Sequence, residues 1–227
     1  LFLEPDGHFP NHAPNPEDAR AMRVITEAVL EHQADFGILF DTDVDRAGAV
    51  LPDGRELNRN RLIAMIAAIA MRDDPGTTIV TDSITSAGLA RFIAARGGIH
   101  RRFKRGYKNV IDEAIRLNAE GQHAAVAMET SGHGALMENY FLDDGAYLMV
   151  KLTIELARAK AEGRPLASLI EGLCEPRESR EYRMAIAGEE FAAYGKQVLE
   201  DLAQHVATLE GFSVAPDNFE GLRVNAD

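Results

Sequence analysis

Asp41-Thr42-Asp43-Val44-Asp45-Arg46 places a carboxylate at every second position of a short stretch. Oxygens at that spacing can converge on one point, where unneutralised charges repel strongly and a divalent cation removes the repulsion. All-oxygen ligation favours Mg²⁺, Mn²⁺ or Ca²⁺ over zinc. A calcium EF-hand does not fit, since its sixth position would be Arg46 rather than Gly and its twelfth Pro52 rather than Glu. Such an ion still needs oxygen ligands from outside. A phosphoryl group supplies them, with Arg46 able to grip its oxygens as a fork. The structural alternative is an Asp-rich turn.

Glu129-Thr130-Ser131-Gly132-His133-Gly134 is the second stretch with chemistry in it. Glu129 accepts hydrogen bonds, Ser131 donates or accepts, His133 does either, and the glycines allow close backbone approach. Donors and acceptors presented together suit sugar hydroxyls. A nucleophilic Ser131 with His133 as its base is another active reading, but the glycine that precedes serine in a G-x-S-x-G elbow is missing. A structural turn with a satisfied histidine is the third. Upstream, Arg101-Arg102-Phe103-Lys104-Arg105-Gly106-Tyr107-Lys108 gathers five of the 24 basic residues and is a candidate seat for a small anion, or a solvated basic turn.

These stretches need elements to hold them. Asn15-Pro16-Glu17-Asp18 reads as a helix start, with Asn15 as N-cap and Pro16 at the first helical position, and the helix runs to about His32. Phe36 to Phe40 is an unbroken apolar run, predicting a strand buried on both faces that ends at the acidic loop. Ala47 to Leu51 is its partner, closed by a Pro52-Asp53-Gly54 turn. Asn58 then caps a helix through Ala70, Thr77 to Thr81 is a strand, and Ser86 to Arg96 is a helix ended by Gly97-Gly98. Ile99 to Phe103, Asn109 to Asn118, Ala124 to Met128 and Gly145 to about Ala161 continue the alternation as strand, helix, strand and helix. This predicts an α/β fold, layered helices on mostly parallel mixed sheets. Ligands sit at strand ends in such sheets, so the loops after Phe40, Thr81, Phe103 and Met128 are the ones that matter. Beyond Pro165 a short helix reaches Cys174, Glu178 to Ile186 reads as an edge strand, Glu189 to Leu209 as a helix, and Phe212–Val214 and Gly221–Val224 as strand-like ends.

Composition narrows the function classes. The 227 residues are 46% hydrophobic and 26% charged, which excludes disordered and low-complexity chains. A formal charge of −12 argues against a nucleic-acid partner, which needs a basic face. The longest apolar run, Leu62 to Met71, is ten residues, against the roughly 20 that span a bilayer, so no membrane partner is expected. The lone Cys174 fits a reducing, cytoplasmic location. The opening at Leu1 rather than Met suggests a piece of a longer protein.

Taken in order, Asp-x-Asp-x-Asp-Arg after an apolar strand and then Glu-x-Ser-Gly-His resemble the α-D-phosphohexomutase superfamily. Pro5-Asp6-Gly7-His8-Phe9-Pro10-Asn11-His12, Gly106-Tyr107-Lys108 and Leu142-Asp143-Asp144-Gly145 fit the same pattern, and the likeness covers roughly residues 1 to 175. The resemblance implies a four-domain enzyme, with residues 1–55 as part of domain two, 56–174 as domain three, and 175–227 as a linker and the start of domain four. It implies that Asp41, Asp43 and Asp45 hold Mg²⁺ and that Arg46 lies by the transferred phosphate. It implies further that Glu129 and Ser131 grip sugar hydroxyls, with His133 and Lys108 nearby. The implied reaction interconverts hexose 1-phosphate and hexose 6-phosphate, mannose or glucose, through a hexose 1,6-bisphosphate and a phosphoserine. The family's phosphoserine loop and its Arg-x-Ser-Gly-Thr-Glu-Pro-like phosphate loop lie outside these residues, so the chain alone is expected to bind metal weakly and turn over nothing. Thr42 stands where glycine is usual.

Two rival readings remain at this point. A haloacid-dehalogenase-type phosphatase would use Asp41 as nucleophile, with Thr81, Lys104 and Asp143-Asp144 in its remaining roles, but leaves Asp45 and the Ser-Gly-His stretch unexplained. A non-catalytic metal- or sugar-phosphate-binding module is the other.

Overall fold

A computed structural model describes residues 1–186, 190–216 and 218–226, which fall into two compact units, 1–175 and 176–227. In the first unit the elements run α1 (Ala19–Glu31), β1 (Gly37–Phe40), β2 (Ala47–Val50), β3 (Glu56–Leu57), α2 (Asn60–Asp73), β4 (Thr78–Asp82), α3 (Ala87–Ala95), β5 (Ile99–Phe103), α4 (Tyr107–Ala119), β6 (Ala124–Met128), β7 (Gly134–Leu136) and α5 (Gly145–Ala161).

Two sheets result. One is antiparallel in the order β1-β2-β3, and the other runs β5-β4-β6-β7 with β5, β4 and β6 parallel and β7 antiparallel. Helices thus cover mixed sheets, and parallel pairing is confined to three neighbouring strands. Because side chains alternate across a strand, adjacent residues of β4 serve different layers. Ile79 joins the core under α2, α3 and α5, whereas Val80 packs with Val110, Ala114 and Leu117 of α4. Helix α2 is apolar on every side, and each residue from Leu62 to Met71 is buried, as a helix sandwiched between layers must be. Ala47, Ala49 and Leu57 belong to that same core, so the antiparallel sheet and the larger sheet share one hydrophobic interior.

Several expectations are corrected. The cap of α1 is Asp18, whose carboxylate accepts from the amides of Arg20 and Ala21; Asn15 lies before the helix. Helix α2 is preceded by Arg59 at φ 52° with no side-chain cap, while Asn58 donates to the Pro16 carbonyl instead. Strand β1 is not buried on both faces: it is an edge strand with Ile38 exposed and Leu39 and Phe40 only half-buried. The segment before Cys174 is a 3₁₀ turn at Leu166–Ile170 rather than an α-helix.

The second unit contains α6 (Phe191–Val206) and a two-stranded antiparallel pair, β8 (Phe212–Val214) and β9 (Val224–Ala226). Residues 178–186 form no strand; they are exposed, and Arg180 and Arg183 pair locally with Glu178 and Glu181. Glu189, expected at the start of α6, lies outside the described residues.

Candidate functional site

The loops after β4, β5 and β6 emerge from the carboxyl edge of the parallel strands, the usual ligand edge of such sheets. Glu129 to Gly132 is a tight turn closed by the Gly132 amide on the Glu129 carbonyl at 3.2 Å. The buried Glu129 carboxylate accepts from the Gly106 amide at 2.6 Å and from Ser131 Oγ at 3.4 Å, which ties the β6–β7 turn to the start of α4. Tyr107 stacks on the His133 ring, with centroids 5.0 Å apart.

The acidic loop joins this edge by backbone contact. Arg46 and His133 form an isolated antiparallel bridge, the Ala47 amide donates to the Gly132 carbonyl at 3.3 Å, and the Gly145 amide donates to the Val44 carbonyl at 3.0 Å. Both glycines are needed. A Cβ on Gly132 would lie 2.7 Å from the Ala47 carbonyl oxygen, and one on Gly145 would lie 2.9 Å from both the Val44 oxygen and the Arg46 carbonyl carbon. The left-handed residue of the acidic loop is Val44, at φ 67°, and not Thr42. For a β-branched residue that conformation is strained.

Within the loop, one oxygen from each of Asp41, Asp43 and Asp45 lies within 4.8 Å of the others. The two flanking carboxylates have opposite fates. Burial would raise Asp41, but hydrogen bonds from the Arg46 backbone (3.1 Å) and Arg46 Nε (2.6 Å) outweigh it and hold the carboxyl below its usual range. Asp45 is pushed up to about 6 by burial, with the charges of Asp41 and Asp143 adding to the effect and His133 opposing it, and its buried Oδ1 has no hydrogen-bond partner. An acceptor-only cluster with an unsatisfied buried oxygen fits a hard divalent cation, so these residues could hold one.

His133 bridges the two halves. Its Nδ1 lies 2.7 Å from Asp143 Oδ2 and 3.6 Å from Asp45 Oδ2. Burial alone would lower its pKa, yet the hydrogen bond to Asp143 and the surrounding carboxylates raise it, favouring the imidazolium. Asp143 Oδ1 also accepts from the Gly134 amide at 3.0 Å, so one carboxylate fixes both ring and backbone.

The structure therefore brings together Asp41, Asp43, Asp45, Arg46, Glu129, Ser131 and His133. It does not bring the Lys108 ammonium to them: Lys108 follows Tyr107 in the first turn of α4, but its Nζ pairs with Asp112 at 2.6 Å on an exposed face. Arg46 is occupied too, on Asp41 and, through Nη1, on Asn15 Oδ1 at 3.2 Å. Sequence reasoning gives Asn15 a capping role and gives Asp82 and Thr130 none, although these last two hydrogen-bond beneath the Glu129 turn. Nothing in local spacing marks them. The phosphatase reading needs Asp41 as an attacking group, but its side chain is 1% exposed and both oxygens accept from Arg46.

Fold and site together define a layered α/β protein that joins an acidic loop and a hydroxyl-rich turn at the carboxyl edge of a sheet. Residues 1–54 match the family model for phosphoglucomutase/phosphomannomutase alpha/beta/alpha domain II, and residues 58–176 match that for domain III. The chain belongs to the phosphoglucomutase/phosphomannomutase family. It is 30% identical over 235 residues to a phosphoglucomutase of Neisseria gonorrhoeae, covering 99% of this chain and 48% of the relative. It is 32% identical over 167 residues to a phosphomannomutase/phosphoglucomutase of Pseudomonas syringae, covering 73% of this chain and 35% of that protein. A crystal structure of a phosphoglucomutase/phosphomannomutase family protein from Burkholderia thailandensis superposes with a TM-score of 0.79 at 28% identity, over 100% of this chain and 45% of the other. The chain thus spans about half the length of the curated relative it matches over most of its sequence. Among the described residues no helix is long and apolar enough to cross a membrane.

Proposed function

We propose that this chain supplies the cation-binding and sugar-binding parts of a phosphohexomutase that interconverts hexose 1-phosphate and hexose 6-phosphate. The observation that carries the reading is the backbone junction of the acidic loop with the Glu129–His133 turn, through Arg46–His133 and Ala47–Gly132. It sets the acidic loop beside the Glu129–His133 turn, which supports reading the two as the phosphoryl-facing and hydroxyl-facing parts of one phosphosugar site.

In this reading Asp41, Asp43 and Asp45 hold Mg²⁺. When bound, the ion supplies charge neutralisation to phosphoryl oxygens during transfer to and from a serine beyond these residues. Arg46 carries a guanidinium at the same edge, and a phosphoryl group would compete with Asp41 for it. Glu129 accepts from sugar hydroxyls, and Ser131 donates to or accepts from them. These contacts address hydroxyls rather than phosphate, so they tolerate a bisphosphate that binds in either orientation. His133, held at Nδ1 by Asp143, keeps Nε2 for a ligand oxygen. Lys108 would have to leave Asp112 to take part. We extend the proposal to segment boundaries near 55 and 174 and to a cytoplasmic location.

The test uses the complete mutase that carries this chain. Asp43→Asn should depress kcat for glucose 1-phosphate or mannose 1-phosphate by at least about a hundredfold while moving KM only a few-fold, as expected when an interaction made in the transition state is lost. Equal losses in both would count against the metal role. Magnesium titration of the 227-residue chain itself gives a reading free of catalysis, and the same substitution should weaken binding there.

A further inference from the structure

Asp82 closes β4, one position past the Thr81–Met128 pairing with β6. Its Oδ2 accepts twice from a single residue, from the Thr130 amide at 3.2 Å and from Thr130 Oγ1 at 2.6 Å. The residue is 1% exposed, and its Oδ1 has no hydrogen-bond partner. Its charged surroundings are the Glu129 carboxylate and the Arg105 guanidinium, on the loops that leave β6 and β5.

A buried carboxylate with one oxygen unsatisfied is an expensive way to hold a turn, because a neutral amide could accept the same two bonds. What it gains is geometric. Thr130 is the second residue of the Glu129–Gly132 turn, and gripping both its amide and its hydroxyl fixes backbone and χ1 together. The turn cannot rotate about its own axis while both bonds stand. Its neighbours on either side are Glu129 and Ser131, already linked to each other at 3.4 Å and anchored to Gly106 at 2.6 Å.

We propose that Asp82 is a positioning residue for substrate: through Thr130 it sets the direction in which Glu129 and Ser131 meet sugar hydroxyls. This rests on the reading of the 129–133 turn as the sugar grip. Asp82 touches no substrate; it acts on the residues that do.

The experiment compares Asp82→Asn, which keeps an oxygen for Thr130, with Asp82→Ala and Thr130→Val, which remove an acceptor and a donor respectively. Amide resonances of the isotopically labelled 227-residue chain report the turn, and KM and kcat of the complete mutase for glucose 1-phosphate report its use. In Asp82→Ala and Thr130→Val the amides of Gly106, Glu129 and Ser131 should shift and KM should rise about tenfold with a smaller change in kcat, in line with the sensitivity of oriented contacts to small displacements. Asp82→Asn should stay within about twofold of the unmodified protein in both, a rescue that generic destabilisation does not produce. Should Asp82→Ala fail to fold, Thr130→Val carries the comparison. Glu129→Ala, which removes the acceptor, separates the positioning role from the sugar-binding role. If it raises KM while Asp82→Ala and Thr130→Val do not, the positioning role is wrong and the sugar reading stands. If Glu129→Ala itself leaves KM unchanged, the sugar reading falls and this proposal falls with it.

Discussion

Asp41 and Asp45 are the same residue type four positions apart, and their environments drive them in opposite directions. One rests on Arg46; the other is half-buried beside Asp41, Asp143 and His133, with an oxygen that accepts no hydrogen bond. Asp82 is a cleaner case, since it stands apart from the acidic loop. Burial pushes its carboxyl up to about 6, against hydrogen bonds from Thr130 and the Arg105 charge, with Glu129 reinforcing burial. The folded state then binds the Asp82 proton more tightly than the unfolded chain does. The stabilisation is complete below about pH 4 and is lost as pH rises through about 6, a difference on the order of 2–3 kcal/mol. Denaturant unfolding of the chain between pH 4.5 and 7 should show a decline to which Asp82 contributes, and Asp82→Asn should make it shallower. The acidic loop and the Glu129–His133 turn are legible in sequence because their residues are neighbours in the chain. Asp82, Asn15 and the Asp143–His133 pair are not, because their partners are brought by the fold from 10 to 48 residues away.

At the scale of elements, α4 and α5 each bury one glutamate among arginines. Hydrogen bonding from Arg116, with Arg101 adding to it, outweighs burial and lowers Glu113; for Glu155, burial is the largest single influence, but Arg72 and Arg164 together overcome it and lower the carboxyl. These depressed carboxyls stabilise the fold above their ordinary range near 4.5, and that contribution is lost as pH falls below it. Opposed to Asp82, they predict a stability maximum in mildly acid solution. Helix ends with local signals, such as Ser86 on the Leu89 amide and Gly97 at φ 79°, are readable from sequence. The burial of strand β1 is not, since an apolar run does not reveal which strand ends up at a sheet edge. The junction between acidic loop and α5 offers a direct test. Gly145→Ala should force the two apart, lowering stability by about 1–3 kcal/mol and weakening magnesium binding. Gly7→Ala, with nothing within 4 Å of the added atom, should do neither.

Across the whole molecule, the two compact units meet in sequence at Glu175–Pro176, and residues 176–186 are exposed and without regular structure. Trypsin should cut first at Arg177, Arg180 or Arg183, and the product ending there should keep a cooperative thermal transition, because the shared core of α2, α5 and both sheets lies within the first unit. Loss of that transition on cleavage would show that the first unit depends on residues of the second for its stability. The alternating pattern up to Ala161 makes this unit legible, whereas 178–186 misleads because alternating polarity without a neighbouring strand does not make a sheet.

Besides its side-chain contacts, the acidic loop is tied to its neighbours by backbone at two points: the Gly145 amide holds the Val44 carbonyl, and the Gly132 carbonyl holds the Ala47 amide. Together with the Asp41 amide on the Arg46 carbonyl, such ties fix how many residues the loop holds, while leaving the identity of an outward-facing residue such as Thr42 open. In a mutational library, then, substitutions at Thr42 should be common among survivors, and insertions or deletions between Asp41 and Arg46 should be absent. What such selection would preserve here is the spacing of the loop, a property of its length that no single residue carries.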